Sequence, residues 1–425
     1  MNREEIIQLI KREVVPAVGC TEPAAVALCV AYCVEALGTR PESIEVLLSA
    51  NMLKNAMGVG VPGTGMTGLP VAIALGAVCG HSSDGLEVLG AVSPDDVAEA
   101  RAMMESGIIS IKLKEPAPDK LYIEVRCSAS GRNAVAVIGR EHTRLVYLQT
   151  PDGKVRTDRR SELGETEDAA GAELTLKEVY DFAVNTPISE LEFIKEAKTL
   201  NEAASKASLK GNYGHELGKT LIQPLGRGIM GDTIFSHILS ATSGACDARM
   251  AGAMIPVMSN SGSGNQGIAA TMPVVVYAEE NNNTEEELVR ALVLSHLTAI
   301  YIKQSLGRLS ALCGCVVAST GSACGITYLM GGQYPQIAYS VKNMIANLAG
   351  MVCDGAKPSC ALKLSSGVST AVLSAMLAIQ NKSVSNVEGL IEDDVDRCIH
   401  NLTRLGSRGM EETDRMVLDI MTHKQ

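Results

Sequence analysis

The chain of 425 residues contains no tryptophan and three phenylalanines, and aromatic residues make up only 3% of it. Hydrophobic residues still account for 46%, so the interior must be built from Ala, Val, Leu, Ile and Met. Small side chains let helix axes approach closely. The composition therefore predicts a mostly helical interior with many close helix crossings.

Two kinds of apolar segment are also missing from the sequence. The chain opens with a charged amphipathic stretch, MNREEIIQLIKREV, where a signal peptide would be apolar. No run of 18 apolar residues lacks polar interruption, which argues against a membrane span. We therefore expect a cytoplasmic protein without a membrane partner. In a reducing compartment its 12 cysteines suit metal binding or catalysis better than a disulfide framework.

Positive charge is scarce, because the sequence has 37 Lys and Arg residues against 48 Asp and Glu residues, which gives a net charge of −11. This balance argues against a nucleic-acid partner. Three common hydrolase and metal patterns are absent too, since the sequence contains no H-E-x-x-H, C-x-x-C or G-x-S-x-G. Zinc hydrolase and serine hydrolase functions therefore lack support.

Hydrophobic periodicity divides the chain into three stretches. Residues 1–82 are predicted to be helical with glycine-rich breaks, and residues 166–425 repeat apolar residues at helical spacing. Residues 83–165 instead hold five strand-like segments, at 86–92, 108–114, 121–129, 133–139 and 144–150, around one helix. We predict a mostly α catalytic domain, in which the first and third stretches pack together, with an inserted small α+β domain between them.

Three cysteines in the last third of the chain carry the clearest chemical signal. Cys315 lies in LCGCVVASTGSACG, and Cys353 and Cys360 lie in MVCDGAKPSCALK. Both segments are rich in Gly, Ser and Ala, so backbone can approach the thiols closely. Thiolates gathered in this way suit a soft metal or an iron–sulfur cluster. Three protein thiolates would leave one iron open for substrate.

Cys20 lies in the segment GCTEP, immediately before a predicted helix start. A helix N-terminus lowers the pKa of a nearby thiol, although a single cysteine in such a place is more often inert. Glu22, two residues later, is an acidic residue of the kind favoured in the first turn of a helix.

A polar loop, MSNSGSGNQG at residues 258–267, combines hydrogen-bond donors with glycines that allow backbone N–H groups to point inward. Its candidate ligand-binding side chains are Ser259, Asn260, Ser261, Ser263 and Asn265. Such a loop can bind a carboxylate or a phosphate, and a solvated turn is the alternative. It lacks the lysine of a P-loop.

Eight short motifs occur in order along the chain: GCTEP, NMLKN, DARM, SNSGSGNQG, ALCGC, GSACGITYLMGG, CDGAKPSCALK and SSGVST. Together they resemble the iron–sulfur L-cysteine desulfidase family, which is related to the catalytic α part of bacterial iron–sulfur L-serine dehydratases. The resemblance implies a 4Fe-4S cluster with three cysteine ligands. The matching positions are Cys315, Cys353 and Cys360, with Cys313 as the alternative first ligand.

The resemblance also implies a reaction, the β-elimination of L-cysteine to pyruvate, ammonia and hydrogen sulfide without pyridoxal phosphate. It places Cys20 and Glu22 in the active site, with Cys20 as the base, while the loop side chains would hold the substrate carboxylate. L-Serine, losing water, is the alternative substrate. Two other functions stay open at this point, a pyridoxal-phosphate lyase using Lys54 or Lys357 and a non-enzymatic sensor. The expected partner is a small amino acid, and a homo-oligomer is left open.

Overall fold

Helices make up most of the computed structural model, which describes residues 1–157, 174–307 and 310–423. The helices in these ranges are α1 Arg3–Glu13, α2 Thr21–Leu37, α3 Ala50–Ala56, α4 Leu69–Val78, α5 Pro94–Glu105, α6 Leu176–Asn185, α7 Lys195–Lys210, α8 Leu217–Ile222, α9 Pro224–Met230, α10 Ile234–Met250, α11 Gly264–Glu280, α12 Glu285–Leu306, α13 Gly314–Leu329, α14 Tyr334–Leu348, α15 Cys360–Ile379, α16 Val395–Arg404 and α17 Glu411–Thr422. The strands are β1 Pro16–Ala17, β2 Ser43–Leu48, β3 Ile109–Leu113, β4 Tyr122–Ala129, β5 Arg132–Gly139, β6 Leu145–Gln149, β7 Val155–Thr157 and β8 Val257–Met258.

A six-stranded sheet forms the small α+β part of the protein. Its strand order is β3-β2-β4-β5-β6-β7, with β2 and β3 parallel and the other neighbours antiparallel. Helix α2 packs on β4 and β5, where the thiols of Cys29 and Cys33 donate hydrogen bonds to strand carbonyl groups. The prediction of a mostly helical protein with a small α+β part is confirmed.

The sheet differs from the sequence prediction in three segments, one of which is the edge strand β7, Val155–Thr157, where no strand was predicted. Residues 43–48, assigned above to a helical stretch, form β2, because alternation buries Ile44, Val46 and Leu48 on one face. Residues 86–92 form no strand, contrary to the sequence prediction: the first two of them end a short 3-10 segment, Ser82–Glu87, which contains Gly85 at a φ of 57°. Domain boundaries at 82 and 165 stay a prediction, and residues 158–165 lie outside the described residues.

Helices α10 to α15 form much of a core that is separate from the one around the sheet. These helices cross as closely as the composition predicts. At the contact of α12 with α13, a Cβ on Gly321 would lie 2.2 Å from the carbonyl oxygen of Ser295. A Cβ on Gly325 would lie 3.0 Å from the carbonyl oxygen of Ala291. Glycine therefore allows α13 to lie directly against α12 along two turns.

The first residues of the chain pack on the C-terminal helices, as the sequence analysis expected, whereas α2 and α4 of the N-terminal stretch belong to the core around the six-stranded sheet. Residues Ile6, Leu9 and Ile10 of α1 belong to the same buried core as α10 to α15. Strand β1 then pairs with β8, so that Pro16 lies opposite Met258 and the chain before Cys20 runs beside the loop at 258–267. This pairing joins two segments that are more than 200 residues apart in sequence.

One helix in the described ranges, α15, is long and apolar enough to cross a membrane by length and composition. Half of its most apolar window is buried inside the protein, and its first residue lines the cavity described below. Core helices of water-soluble proteins pass the same test, so α15 is weak evidence for a membrane span.

Candidate active site

A cavity of about 120 Å³ lies where the N-terminal ends of four helices meet. The N-cap positions of α2, α11 and α13 are occupied by Cys20, Ser263 and Cys313, and Cys360 is the first residue of α15; all four line the cavity. The first turn of a helix leaves N–H groups unpaired and carries partial positive charge. Four such ends favour a bound anion in the cavity, although burial raises the pKa of the thiols of Cys315 and Cys360, and the hydrogen bond to Cys353 together with burial raises the pKa of Cys313.

All four candidate cluster cysteines line this cavity, and a short backbone pairing holds two of them together. Leu312 and Val352 form an isolated β-bridge. Beside it, the N–H of Cys313 donates to the carbonyl of Met351 at 2.9 Å, and the N–H of Cys353 donates to the carbonyl of Ala311 at 2.7 Å. The segments before α13 and before α15 are thereby fixed side by side.

The other two thiols donate hydrogen bonds to nearby carbonyl groups. Cys315 Sγ donates to the carbonyl of Lys363 at 3.0 Å, and Cys360 Sγ donates to that of Gly355 at 3.6 Å. Gly355 has a φ of 88°, and a Cβ there would lie 2.2 Å from the carbonyl oxygen of Lys54. A glycine is required at this close approach between the CDGAKPSC segment and α3.

Cys353 differs electrostatically from its neighbours. A hydrogen bond from Cys313 lowers the pKa of Cys353, and the positive charges of Lys54 and Lys363 lower it further against the effect of burial. The same hydrogen bond raises the pKa of Cys313. Lys54 is fully buried and pairs with Asp414 of α17. The site therefore favours one thiolate at Cys353 with a neighbouring thiol that donates to it.

Cys20 is held at the cavity by the loop and by α10. Arg249 donates from Nη2 to the carbonyl of Gly19 at 3.0 Å, and Thr21 Oγ1 donates to the carbonyl of Gly262 at 3.3 Å. Burial raises the pKa of Cys20 to about 12, while Arg249 opposes the shift. The expected lowering of this pKa by the helix N-terminus is wrong, because desolvation outweighs it. Glu22 also lines the cavity.

The candidate ligand-binding side chains of the loop fall into two groups. Ser261, Ser263 and Asn265 line the cavity, whereas Ser259 and Asn260 do not. Ser259 Oγ donates to the carbonyl of Val15 at 2.6 Å, and the Asn260 side chain is fully buried. We correct the prediction for Ser259 and Asn260, since their side chains hold the loop in place instead of facing a ligand.

Several cavity residues were not singled out as functional by the sequence analysis. The polar and charged ones are Asn55, His142, Arg249, Gln266, Lys303, Ser310 and Lys363. The motif NMLKN contains Asn55, and the motif DARM contains Arg249. The sequence around Arg249, however, favours an ordinary salt bridge within one helical turn. No local sequence pattern indicates a functional role for His142, which lies in the segment between β5 and β6 and lines the cavity.

The chemistry of the donor set fits a soft metal or an iron–sulfur cluster. Four thiols in one cavity with partial positive charge match thiolate ligation, which soft iron sites prefer. Within residues 1–157, 174–307 and 310–423, no three His, Cys, Asp or Glu side chains are already arranged to hold a metal ion. The thiols of Cys315 and Cys360 donate to carbonyl groups instead.

Gly367 of α15 gives a direct test of this thiol arrangement. A Cβ at this position would lie 2.5 Å from both Cys315 Sγ and Ser319 Oγ, so Gly367→Ala must displace the thiol. We expect less iron bound after anaerobic reconstitution and a loss of about 1–3 kcal/mol in the free energy of unfolding. Gly350→Ala is the matched control, because no heavy atom lies within 4 Å of its Cβ position. Equal iron content in both variants would contradict the arrangement.

The fold and the cavity define a helical protein with a buried, thiol-lined site at converging helix N-termini. A model of the serine dehydratase alpha chain family matches residues 83–419, and the chain belongs to that family. The matched range includes the four thiols and the loop but not Cys20 or Glu22.

Close relatives cover the chain along its whole length. A UPF0597 protein of Phocaeicola vulgatus is 66% identical over 425 residues, covering 100% of this chain and 98% of the relative. A UPF0597 protein of Bacteroides thetaiotaomicron is 64% identical over 423 residues, with coverage of 100% and 98%. One from Aeromonas hydrophila is 46% identical over 424 residues, with coverage of 99% and 96%.

Proposed function

We propose that this protein is a pyridoxal-phosphate-independent lyase that converts L-cysteine to pyruvate, ammonia and hydrogen sulfide with the help of an iron–sulfur cluster. The observation that carries the proposal is the shared cavity of Cys313, Cys315, Cys353, Cys360 and Cys20. Membership of the serine dehydratase alpha chain family supports a lyase reaction on a small amino acid.

Cys315, Cys353 and Cys360 would hold a 4Fe-4S cluster, with Cys313 as the alternative first ligand. When bound, the cluster supplies a Lewis acid for the group that leaves from the substrate β-carbon. Cys353 is suited to ligation because its pKa is lowered by Cys313 and the nearby lysines. Cys313 is suited to a supporting role, since its thiol donates to Cys353.

The chain's own residues then handle the proton and the substrate charges. Cys20, as thiolate, removes the Cα proton; the Cβ–S bond breaks and its electron pair leaves with sulfur. The resulting aminoacrylate takes up a proton and is hydrolysed to pyruvate and ammonia. Arg249 favours the Cys20 thiolate, and the N-terminus of α11, with Ser263, offers donors for the substrate carboxylate. Glu22 would add a carboxylate beside the base.

L-Serine is the second candidate substrate, and the family description favours it. The same residues would then eliminate water. The two lysines considered for a pyridoxal-phosphate Schiff base do not support that alternative, because each forms an ion pair. Lys54 pairs with Asp414, and Lys357 pairs with Asp354. We further propose a cytoplasmic protein whose partner is a small amino acid, without nucleic acid or membrane, and which can form a homo-oligomer.

Anaerobic reconstitution with iron and sulfide, followed by assay with L-cysteine and with L-serine, tests the proposal. We expect iron-dependent release of pyruvate and sulfide in equal amounts from L-cysteine, and a visible spectrum of an iron–sulfur cluster. A pyridoxal spectrum, or turnover that does not depend on iron, would refute the mechanism. Faster pyruvate release from L-serine would assign the reaction to the second substrate.

A further inference from the structure

A buried hydrogen-bond chain runs from α12 to the cavity. His296 of α12 is fully buried, and its Nε2 lies 2.9 Å from Thr271 Oγ1. On the other side of the ring, Asn260 Nδ2 lies 3.1 Å from His296 Nδ1 and 3.1 Å from the carbonyl oxygen of His296. Ser261 Oγ lies 2.9 Å from Asn260 Oδ1, and Ser261 lines the cavity.

The direction of each hydrogen bond in this chain follows from its neighbours. A carbonyl oxygen can only accept, so the Asn260 atom that faces the carbonyl of His296 must be the amide nitrogen. The His296 Nδ1 beside it then accepts, and Asn260 Oδ1 is left facing Ser261. Because Oδ1 cannot donate, the hydroxyl proton of Ser261 must point to it.

The far end of the chain agrees with this direction. Thr271 Oγ1 donates its proton to the carbonyl of Gly267 at 2.7 Å, so it accepts from His296 Nε2–H. Burial lowers the pKa of His296 to about 3, which keeps the ring neutral with its one proton on Nε2. Asn201 Nδ2 donates to the same hydroxyl at 3.0 Å.

The hydroxyl proton of Ser261 is therefore committed to Asn260, and its oxygen can only accept a hydrogen bond from a ligand. Its backbone lies in the left-handed region, with a φ of 49°, and its N–H is held by the carbonyl of Glu13 at 2.9 Å. Ser263, two residues later, accepts from the N–H of Gln266 at 3.4 Å, which leaves its own hydroxyl proton for a ligand. The loop presents an acceptor and a donor side by side, as a zwitterionic amino acid requires.

We propose that Ser261 recognises the α-ammonium group of the substrate, and that His296 is the positioning residue that fixes the direction of its hydroxyl through Asn260. The assignment of the ligand as an amino acid rests on the proposed function. It replaces the expectation that Ser261 binds the carboxylate, a role left to Ser263 and the N-terminus of α11. Ser261 would thus select α-amino acids over carboxylates that lack the amine.

Two probes that differ only in the ammonium group test this assignment, L-alanine and propionate. Isothermal titration calorimetry on the full chain, before and after cluster reconstitution, should show that Ser261→Ala weakens L-alanine binding by about tenfold or more. Propionate affinity should not change in this variant. Ser263→Ala should weaken both probes together. Equal weakening of both probes by Ser261→Ala, or no preference of the unaltered protein for L-alanine, would overturn the inference.

Two substitutions at His296 test its positioning role. The amide oxygen of His296→Asn can accept at the place of Nδ1, whereas His296→Leu offers no acceptor. We expect His296→Leu to lower the L-alanine-to-propionate affinity ratio and His296→Asn to restore much of it; a purely structural defect would leave the ratio unchanged. An unchanged ratio in folded His296→Leu overturns this role.

The outcomes separate this inference from the proposed function. Ammonium selectivity that depends on Ser261, without pyruvate release after reconstitution, would support the inference and contradict the proposed reaction. Pyruvate release after reconstitution would support the proposed reaction. If Ser261→Ala then lost the same amount of affinity for L-alanine and for propionate, the inference about Ser261 would be contradicted.

Discussion

Replacing Cys353 by alanine is expected to abolish iron binding and reduce elimination activity to background. Among the cavity thiols, Cys353 has its pKa lowered, first by the hydrogen bond from Cys313 and then by Lys54 and Lys363. It also lies in the segment that the Leu312–Val352 bridge fixes against α13. A 4Fe-4S cluster requires about four irons per chain, and we expect less than about one in the variant.

Iron analysis and the visible spectrum after anaerobic reconstitution measure this effect. Cys324→Ala is the matched control, because Cys324 is buried in α13 beside Ser340 and does not line the cavity. It should keep its iron. Comparison of Cys313→Ala with Cys315→Ala identifies the first ligand, since only the ligand variant should lose the cluster. Full iron content in Cys353→Ala would remove the basis of the proposed cofactor.

The gathering of distant thiols could be predicted from the sequence because each thiol lies in a Gly- and Ser-rich break between apolar helices. Breaks of this kind fall at helix ends, and a helical bundle brings several ends together. The same pattern predicted the contact of the N-terminal stretch with the C-terminal helices, which β1 and β8 make. The helical class followed from the residue spacing.

Other features depend on tertiary packing and were not visible in the sequence. The pKa of Cys20 is set by burial between α2, α10 and the loop, which outweighs the local helix N-terminus. Asn260 looked like a ligand-binding amide, yet His296, 36 residues away, takes both of its N–H groups. His142 reaches the cavity from the sheet, and no local signal in its segment indicated this.

Cys20→Ala is expected to keep the cluster but to lower the rate of elimination by about 10²–10⁴-fold, the range for removal of a general base. Cys20 lines the cavity from the N-terminal end of α2, while the four candidate ligands come from the segments before and within α13 and α15. The variant should therefore retain the iron content and spectrum of the unaltered protein. Loss of iron in Cys20→Ala would make Cys20 a ligand instead.

The pH dependence gives an independent readout of the same residue. Burial raises the pKa of Cys20 to about 12, so its thiolate is a minor form at neutral pH, and its fraction grows with each step toward alkaline pH. We expect the rate of Cα proton exchange of L-alanine in deuterated buffer, followed by NMR, to rise with pH between about 7 and 10. Cys20→Ala should show slow, pH-independent exchange. A rate that is already constant near neutral pH would exclude a buried thiol as the base and would favour Glu22, the other ionisable group at this end of α2.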